Sequence, residues 1–451
     1  MLTMLMKSNL MMIKLIGLAA LIFMMSQGVA NAQALSATKE EVLYIVRSGD
    51  SLIGLGQRYF VSPASYKAVE QLNGLENPNL MRVGATIVIP TRYLRYTLLD
   101  AKVIALKGQS TVQRAGQMER LSLQSSITEG AVIQTAADGY VTFQLSNGSR
   151  VAMPSNSRIK ILRMRTYLIS RGTDTDFVVE QGRTETKAVS LRDNRSRFRV
   201  RTPVAISAVR GTVFRIGYDG PNAPSLTEVV EGNVAVEAQG GLQTTLPTGF
   251  GAAAAASGKL NKEALLPPPA FAAQGQQQRG SDVIFALNPD PVAIGYHVEI
   301  AADPQFVNIV TGARANNALV NLGPLPNGSY WARAMAIAPS GLEGLPQSLP
   351  FTRKLEALQS GKLSGDKAGY RLSWDLGNDD KNNGINVFRF QLFEGSISGL
   401  PMIDEPGLSE KEMLVYGLPN GRYAWRIGRL SNIQGKIEQY WTPVEILTVE
   451  K

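Results

Sequence analysis

"EGAVIQTAADGYVTFQLSNGSRVAMPSNSRIKI", residues Glu129–Ile161, alternates apolar and polar side chains and breaks at Asp138-Gly139, Asn147-Gly148 and Pro154. A period of two places one set of side chains on one face of an extended chain. Asn-Gly between such runs is the strongest short-range hairpin signal. The stretch therefore predicts short strands at Val132–Thr135, Tyr140–Leu145 and Arg150–Met153. The same habit runs outward from about Lys107 to Ala252 with no helical periodicity. Val178–Gly182 and Val229–Val236 read as strand-turn-strand units of one kind. The expected domain (100–252) is all-β, either a sandwich or solenoid-like.

Within it, Arg195, Arg197, Arg199 and Arg201 alternate with Ser196, Phe198 and Val200, so the four guanidinium groups fall on one strand face. One reading is a solvated face whose like charges discourage edge pairing. The other is a site for an anionic partner, taking phosphate or carboxylate through bidentate contacts. Arg210, beside Gly211, reads either as a buried ion pair or as a residue orienting the Gly-Thr turn. Glu129–Ile161, "TPVAISAVRGTVFRI" (Thr202–Ile216) and "TEVVEGNVAV" (Thr227–Val236) resemble the FecR domain, most specifically in Val209-Arg210-Gly211-Thr212-x-Phe214. In that family the domain is usually the periplasmic part of a transmembrane regulator acting on an extracytoplasmic sigma factor. Neither a cytoplasmic helical domain nor a spanning helix is read ahead of the β region here. The resemblance thus implies a β module and a periplasmic address.

Upstream, "YIVRSGDSLIGLGQRY" (Tyr44–Tyr59) changes from strand to helix across Gly49-Asp50-Ser51. Ser62-Pro63 then suits a helix start, Tyr66, Val69 and Leu72 give an apolar stripe, and Asn73-Gly74 offers a left-handed stop. Thr86–Ile89 is a strand closed by Pro90. This βααβ module (42–91) resembles a LysM domain in Tyr44-x-Val46-x-x-Gly49-Asp50-Ser51-Leu52, Tyr59, Asn73, Leu80, Gly84 and Ile87–Pro90. That family binds N-acetylglucosamine-containing glycans such as peptidoglycan. The resemblance places a groove between Gly49, Asp50, Ser51 and Leu52 on one side and Asn73, Leu75, Asn79 and Leu80 on the other. Asp50 reads as a helix N-cap ahead of a direct sugar contact.

Lys7, Lys14, the apolar run Leu15–Met25 and Ala30-Asn31-Ala32 predict a cleavable signal peptide (1–32). The run is too short to favour a membrane span. Downstream, Ala252–Ala256, Pro267–Pro269 and Gln276–Gln278 read as a semi-rigid linker (253–280). Leu325–Arg333 then returns as Leu418–Arg426, each with Pro-Asn-Gly leading into an aromatic strand. Both copies (281–354 and 360–450) resemble fibronectin type III-like sandwiches, which implies spacer or protein-binding units. Trp331, Trp374 and Trp425 are expected in cores.

The chain of 451 residues has no cysteine and one histidine, His297. Thiol nucleophiles, thiolate metal sites and lipid-anchored cysteines are thereby excluded, as are zinc sites that need several imidazoles. His297 lies in a strand-like run and reads as a half-buried strand residue. Ser157-Arg158-Ile159-Lys160 matches a Ser-x-x-Lys acylase motif without its partner motifs. The expectation is no catalytic site, no metal and no cofactor. Net charge +9 favours anionic partners, which for an exported chain are wall polymers and lipid headgroups, not nucleic acid. The expected role is a non-catalytic peptidoglycan-binding scaffold, periplasmic or else secreted, with an unidentified envelope protein as partner and no integral membrane segment after cleavage. The alternative is an envelope signal-sensing regulator relaying through the FecR-like domain to a membrane-bound partner.

Overall fold

The computed structural model describes residues 40–190, 195–272, 277–279, 282–354, 359–366, 369–375, 387–433 and 436–450. The expected signal segment and parts of 253–280 lie outside the described residues. By contacts the chain divides into two compact units. The first takes the chain to Pro269 together with Asp290–Thr311 and Ala334–Gln347; the second takes Ala270–Pro289, Gly312–Arg333 and the chain from Ser348. The strands of 281–354 are thus shared out between the two.

The first unit opens with the small module. Strands β1 (Glu41–Ile45) and β2 (Thr86–Pro90) pair antiparallel, with helices α1 (Leu52–Tyr59) and α2 (Tyr66–Asn73) between them in sequence. Alternation buries Val42, Tyr44, Ile87 and Ile89 against Leu52, Leu55, Phe60 and Val69. Pro63 starts a short 3-10 turn that leads into α2 rather than opening the helix itself. Gly74 ends α2 in the left-handed conformation, as Asn-Gly predicts. Gly56 has a packing reason: a Cβ there would lie 3.0 Å from the Pro63 carbonyl oxygen.

The β region is two ladders that share one strand. The first runs Gln117–Arg120, Ser110–Arg114, Val132–Thr135, Arg158–Tyr167, Thr173–Lys187, Arg197–Arg201, Ala205–Val209, Asn233–Ala238 and Gln243–Pro247. The second runs Ser126–Thr128, Asp100–Lys107, Tyr140–Leu145, Arg150–Met153, the same Thr173–Lys187, Val213–Tyr218, Ser225–Glu231, Phe250–Ala254 and Leu260–Ala264. Within these ladders only Thr173–Lys187 with Arg197–Arg201 is parallel. Buried side chains of both ladders form one core. Phe177 joins them, with Phe143 at 6.0 Å and Phe198 at 5.6 Å in edge-to-face geometry.

The strands predicted within 132–153 fall where the hairpin signals put them. Two other expectations fail. Val178–Gly182 makes no turn; one strand of 15 residues runs straight through. At Gly182 it changes partners, from Arg158–Tyr167 to Val213–Tyr218. Gly182 has φ +79°, and a Cβ would meet the Asn156 carbonyl oxygen at 2.5 Å, so the glycine marks a crowded crossing. Val229–Val236 does turn, at Gly232 with φ +90°. The linker expected from residue 253 also fails over its first part, because Leu260–Ala264 pairs with Phe250–Ala254. Ala252 and Ala254 are buried; small side chains fit that core, although their strand propensity is low.

In the second unit, Gly369–Asp375 pairs with Gln359–Asp366 and Glu412–Val415. Val387–Glu394 pairs with Ile403–Leu408 and Gly421–Ile433. Leu372 and Trp374 from the first sheet share a core with Phe388, Phe390, Leu392, Tyr423 and Trp425 from the second. The sequence repeat has a structural basis: Tyr330 Oη donates to the Pro326 carbonyl at 3.1 Å, and Tyr423 Oη to the Pro419 carbonyl at 2.9 Å. Each tyrosine ties its strand back to the turn before it. Trp374 and Trp425 are core residues as expected, while Trp331 is only half-buried.

Candidate functional site

The two loops of the expected groove lie side by side. Leu52 N donates to the Pro78 carbonyl at 2.7 Å, joining the loop after β1 to the loop after α2. Gly49 has φ +83° with open space where a Cβ would stand. Its conformation requires glycine, and its exposed backbone is accessible to a ligand.

Asp50 is not the N-cap. Ser51 is, its side chain accepting from Gly54 N at 3.1 Å. Asp50 instead accepts from Tyr44 Oη at 2.7 Å, Arg47 N at 2.9 Å and Arg58 at 3.1 Å. Burial works to raise its carboxyl, but those three donors hold it below its ordinary value. The reciprocal effect falls on Tyr44, which burial and the Asp50 hydrogen bond push up to about 12. Asp50 is thus the knot that fixes the Gly49–Ser51 loop. Tyr44 and Arg58 were not singled out as site residues, because their spacing of 6 and 8 residues from Asp50 matches no local motif.

Three further residues have structural work. Leu52 is fully buried. Asn73 donates to the Val69 and Val88 carbonyls at 2.7 and 2.9 Å and accepts from Val88 N at 2.7 Å, stapling α2 to β2. Leu75 is half-buried against the core. The face left to a ligand comprises the Gly49 backbone, Ser51, Asn79 and Leu80, the last 77% exposed. Asn77 shapes that side by accepting from Asn79 N at 2.9 Å through its side chain.

A test of the knot follows. Asp50→Asn keeps the shape but weakens charge-assisted hydrogen bonds, so stability should fall by about 1–2 kcal/mol and glycan binding with it. Because the folded carboxyl is depressed, its contribution is present above the unfolded value of about 4 and is lost as pH falls through the folded one. Wild-type and variant stabilities should therefore converge in strong acid; a constant gap from pH 7 to pH 2 would refute the role.

The arginine stripe is corrected. Arg195 precedes the strand, which begins at Arg197. Arg199 is 2% exposed and bridges Asp174 at 3.0 Å and Asp176 at 3.1 Å. Arg201 holds Asp176 in a two-pronged pair at 2.8 and 2.9 Å, and Arg197 donates to the Glu41 carbonyl at 3.0 Å. Over Arg197–Arg201 the face is covered rather than an open stripe, since the neighbouring strand supplies its own carboxylates at Asp174 and Asp176, while Arg195 lies outside it and is exposed. Ser157 of the Ser-x-x-Lys match is buried and accepts from Arg183 N at 3.0 Å. His297 is buried in the strand Gly295–Ala301 with Nδ1 3.0 Å from Glu343 Oε1. Among the described residues no cluster of His, Cys, Asp or Glu is placed to hold a metal, and no helix is long and apolar enough to cross a membrane.

Residues 44–90 match the LysM domain. Residues 131–235 match the FecR protein family. No curated protein matches the chain. Two crystal structures of a candidate anti-sigma factor from Parabacteroides distasonis ATCC 8503 are similar at 19% identity and a TM-score of 0.25. The match covers 30% of this chain and spans 59% of that protein's length. The LysM match contains every groove residue named above, and the FecR match falls within the paired ladders.

Proposed function

We propose that the chain is a non-catalytic, exported peptidoglycan-binding protein whose LysM module holds N-acetylglucosamine-containing glycan. The observation carrying this reading is the bridge from Leu52 N to the Pro78 carbonyl, which sets an exposed glycine backbone beside Asn79 and Leu80 within a LysM match. Backbone polar groups and one apolar side chain suit the acetamido group and sugar faces of such a polymer. The β modules then serve as a periplasmic scaffold that engages an envelope protein, the regions 281–354 and 360–450 providing fibronectin-like spacer or docking units. The FecR match supports a second reading, in which the β region senses an envelope state and relays it to a membrane-bound partner.

Full-length protein should sediment with insoluble peptidoglycan and be released by chitooligosaccharides. One shallow face binds weakly, because a small contact leaves little surplus over the cost of association. Leu80→Asp should reduce the sedimented fraction at least tenfold at unchanged circular dichroism, since an exposed substitution moves stability by about 0.5 kcal/mol or less. Equal sedimentation of that variant would move the groove elsewhere. A membrane kinase or cyclase recovered by cross-linking from the envelope would favour the regulatory reading; wall or outer-membrane structural proteins would favour the scaffold.

A further inference from the structure

The junction between the LysM module and the β region is built as an interior, not as a linker. Tyr167 and Ile169, from the β region, are 1% and 7% exposed and belong to the core of Val42, Tyr44, Phe60 and Leu94. The connecting chain is itself a strand, Tyr96–Leu98, paired with Arg165–Tyr167. Backbone bonds continue on both sides of it: Arg95 N to the Tyr59 carbonyl at 2.7 Å, Leu168 N to the Arg95 carbonyl at 3.1 Å, and Leu99 N to the Met164 carbonyl at 2.8 Å.

At the centre of the junction stands Asp174, fully buried. It accepts from Tyr167 Oη at 3.1 Å and from Arg199 at 3.0 Å, with Arg163 and Arg197 each at 3.7 Å. Two of these arginines reach across to the first residues of the LysM module. Arg163 pairs with the Glu40 carboxylate at 2.5 Å, and Arg197 donates to the Glu41 carbonyl at 3.0 Å. We propose that this relay, centred on Asp174, latches the LysM module and the β region into one rigid body. The latch grips the start of β1, while the groove loop Arg47–Ser51 follows its end, so an occupied groove leaves the latch closed. Whatever the groove holds is then held at a fixed orientation to the β ladders. The latch does not depend on the ligand being a glycan.

The test is hydrogen–deuterium exchange on the full chain, read on peptides covering 40–46, 94–99 and 165–170. In the wild type these peptides should exchange at least a hundredfold more slowly than exposed loops, and they should stay protected in 0.5 M salt, because buried pairs are screened little. Asp174→Asn should raise exchange in all three at least tenfold while the strand Tyr140–Leu145 stays protected. The double variant Glu40→Gln, Arg197→Ala removes both contacts to the start of β1 while leaving Asp174 its bonds from Tyr167 and Arg199, and keeps the test valid should Asp174→Asn unfold the domain. It should raise exchange in 40–46 and 94–99 without changing Tyr140–Leu145. Loop-like exchange of these peptides in the wild type would overturn the rigid junction. Wild-type protection in the double variant would overturn the relay as its cause. Peptidoglycan sedimentation by the double variant should be unchanged, which separates the latch from the groove.

Discussion

Arg199→Ala should destabilise the first unit by about 3–5 kcal/mol, the usual cost of leaving buried charge without its partner. The side chain is 2% exposed and lies within 3.1 Å of both Asp174 and Asp176. Its removal leaves two buried carboxylates facing each other across the space it filled. Arg201 still pairs with Asp176, but Asp174 is left with the Tyr167 hydroxyl at 3.1 Å and the more distant charges of Arg163 and Arg197, each at 3.7 Å. Urea denaturation followed by tryptophan-independent circular dichroism measures the change. A loss under about 0.5 kcal/mol, normal for exposed positions, would return the stripe to the surface. Arg195→Ala, at an exposed position outside the strand, is the matched control.

Phe177→Ala should cost about 3–5 kcal/mol as well, by a different mechanism: lost transfer free energy plus a cavity that the surroundings refill only in part. Phe177 is 1% exposed and its ring is the middle of three, between Phe143 on one ladder and Phe198 on the other. The aromatic contacts add to the burial. Phe177→Leu restores most of the volume and should recover more than half of the loss. If both variants melt like the wild type, the two ladders do not share the core described.

Much of this architecture is legible in the sequence, and the residues that escape it do so for physical reasons. Asn147-Gly148 fixes a hairpin locally, because a tight turn between alternating runs depends on a few adjacent residues. Gly182 resembles the glycine at 232, yet one sits inside a strand and the other in a turn. The difference lies in pairing: Gly182 stays in a ladder opposite Tyr218, a partner 36 positions downstream that leaves no trace in the neighbouring sequence. The arginine stripe is similar. Alternation correctly places Arg197, Arg199 and Arg201 on one face, but what covers that face is Asp174 and Asp176, more than 20 positions upstream. Their own alternation, Asp174-x-Asp176, is the signal that could have found them. At the groove, the motif names residues on both loops. It could not tell the residues that build them, such as Leu52 and Asn73, from those that face outward, because burial and distant partners such as Val88 decide that.

The strand Thr173–Lys187 has a mechanical consequence. Fifteen extended residues reach about 50 Å, and this span carries Asp174 near one end and Arg183, paired with Glu228 at 3.1 Å, towards the other. A load passed from the small module through Asp174 and drawn along the strand meets both ladders in turn. Its ladder bonds lie across that direction, so they are loaded in shear and must fail together rather than unzip one at a time. Because both ladders share the strand, neither can peel away and spare the other.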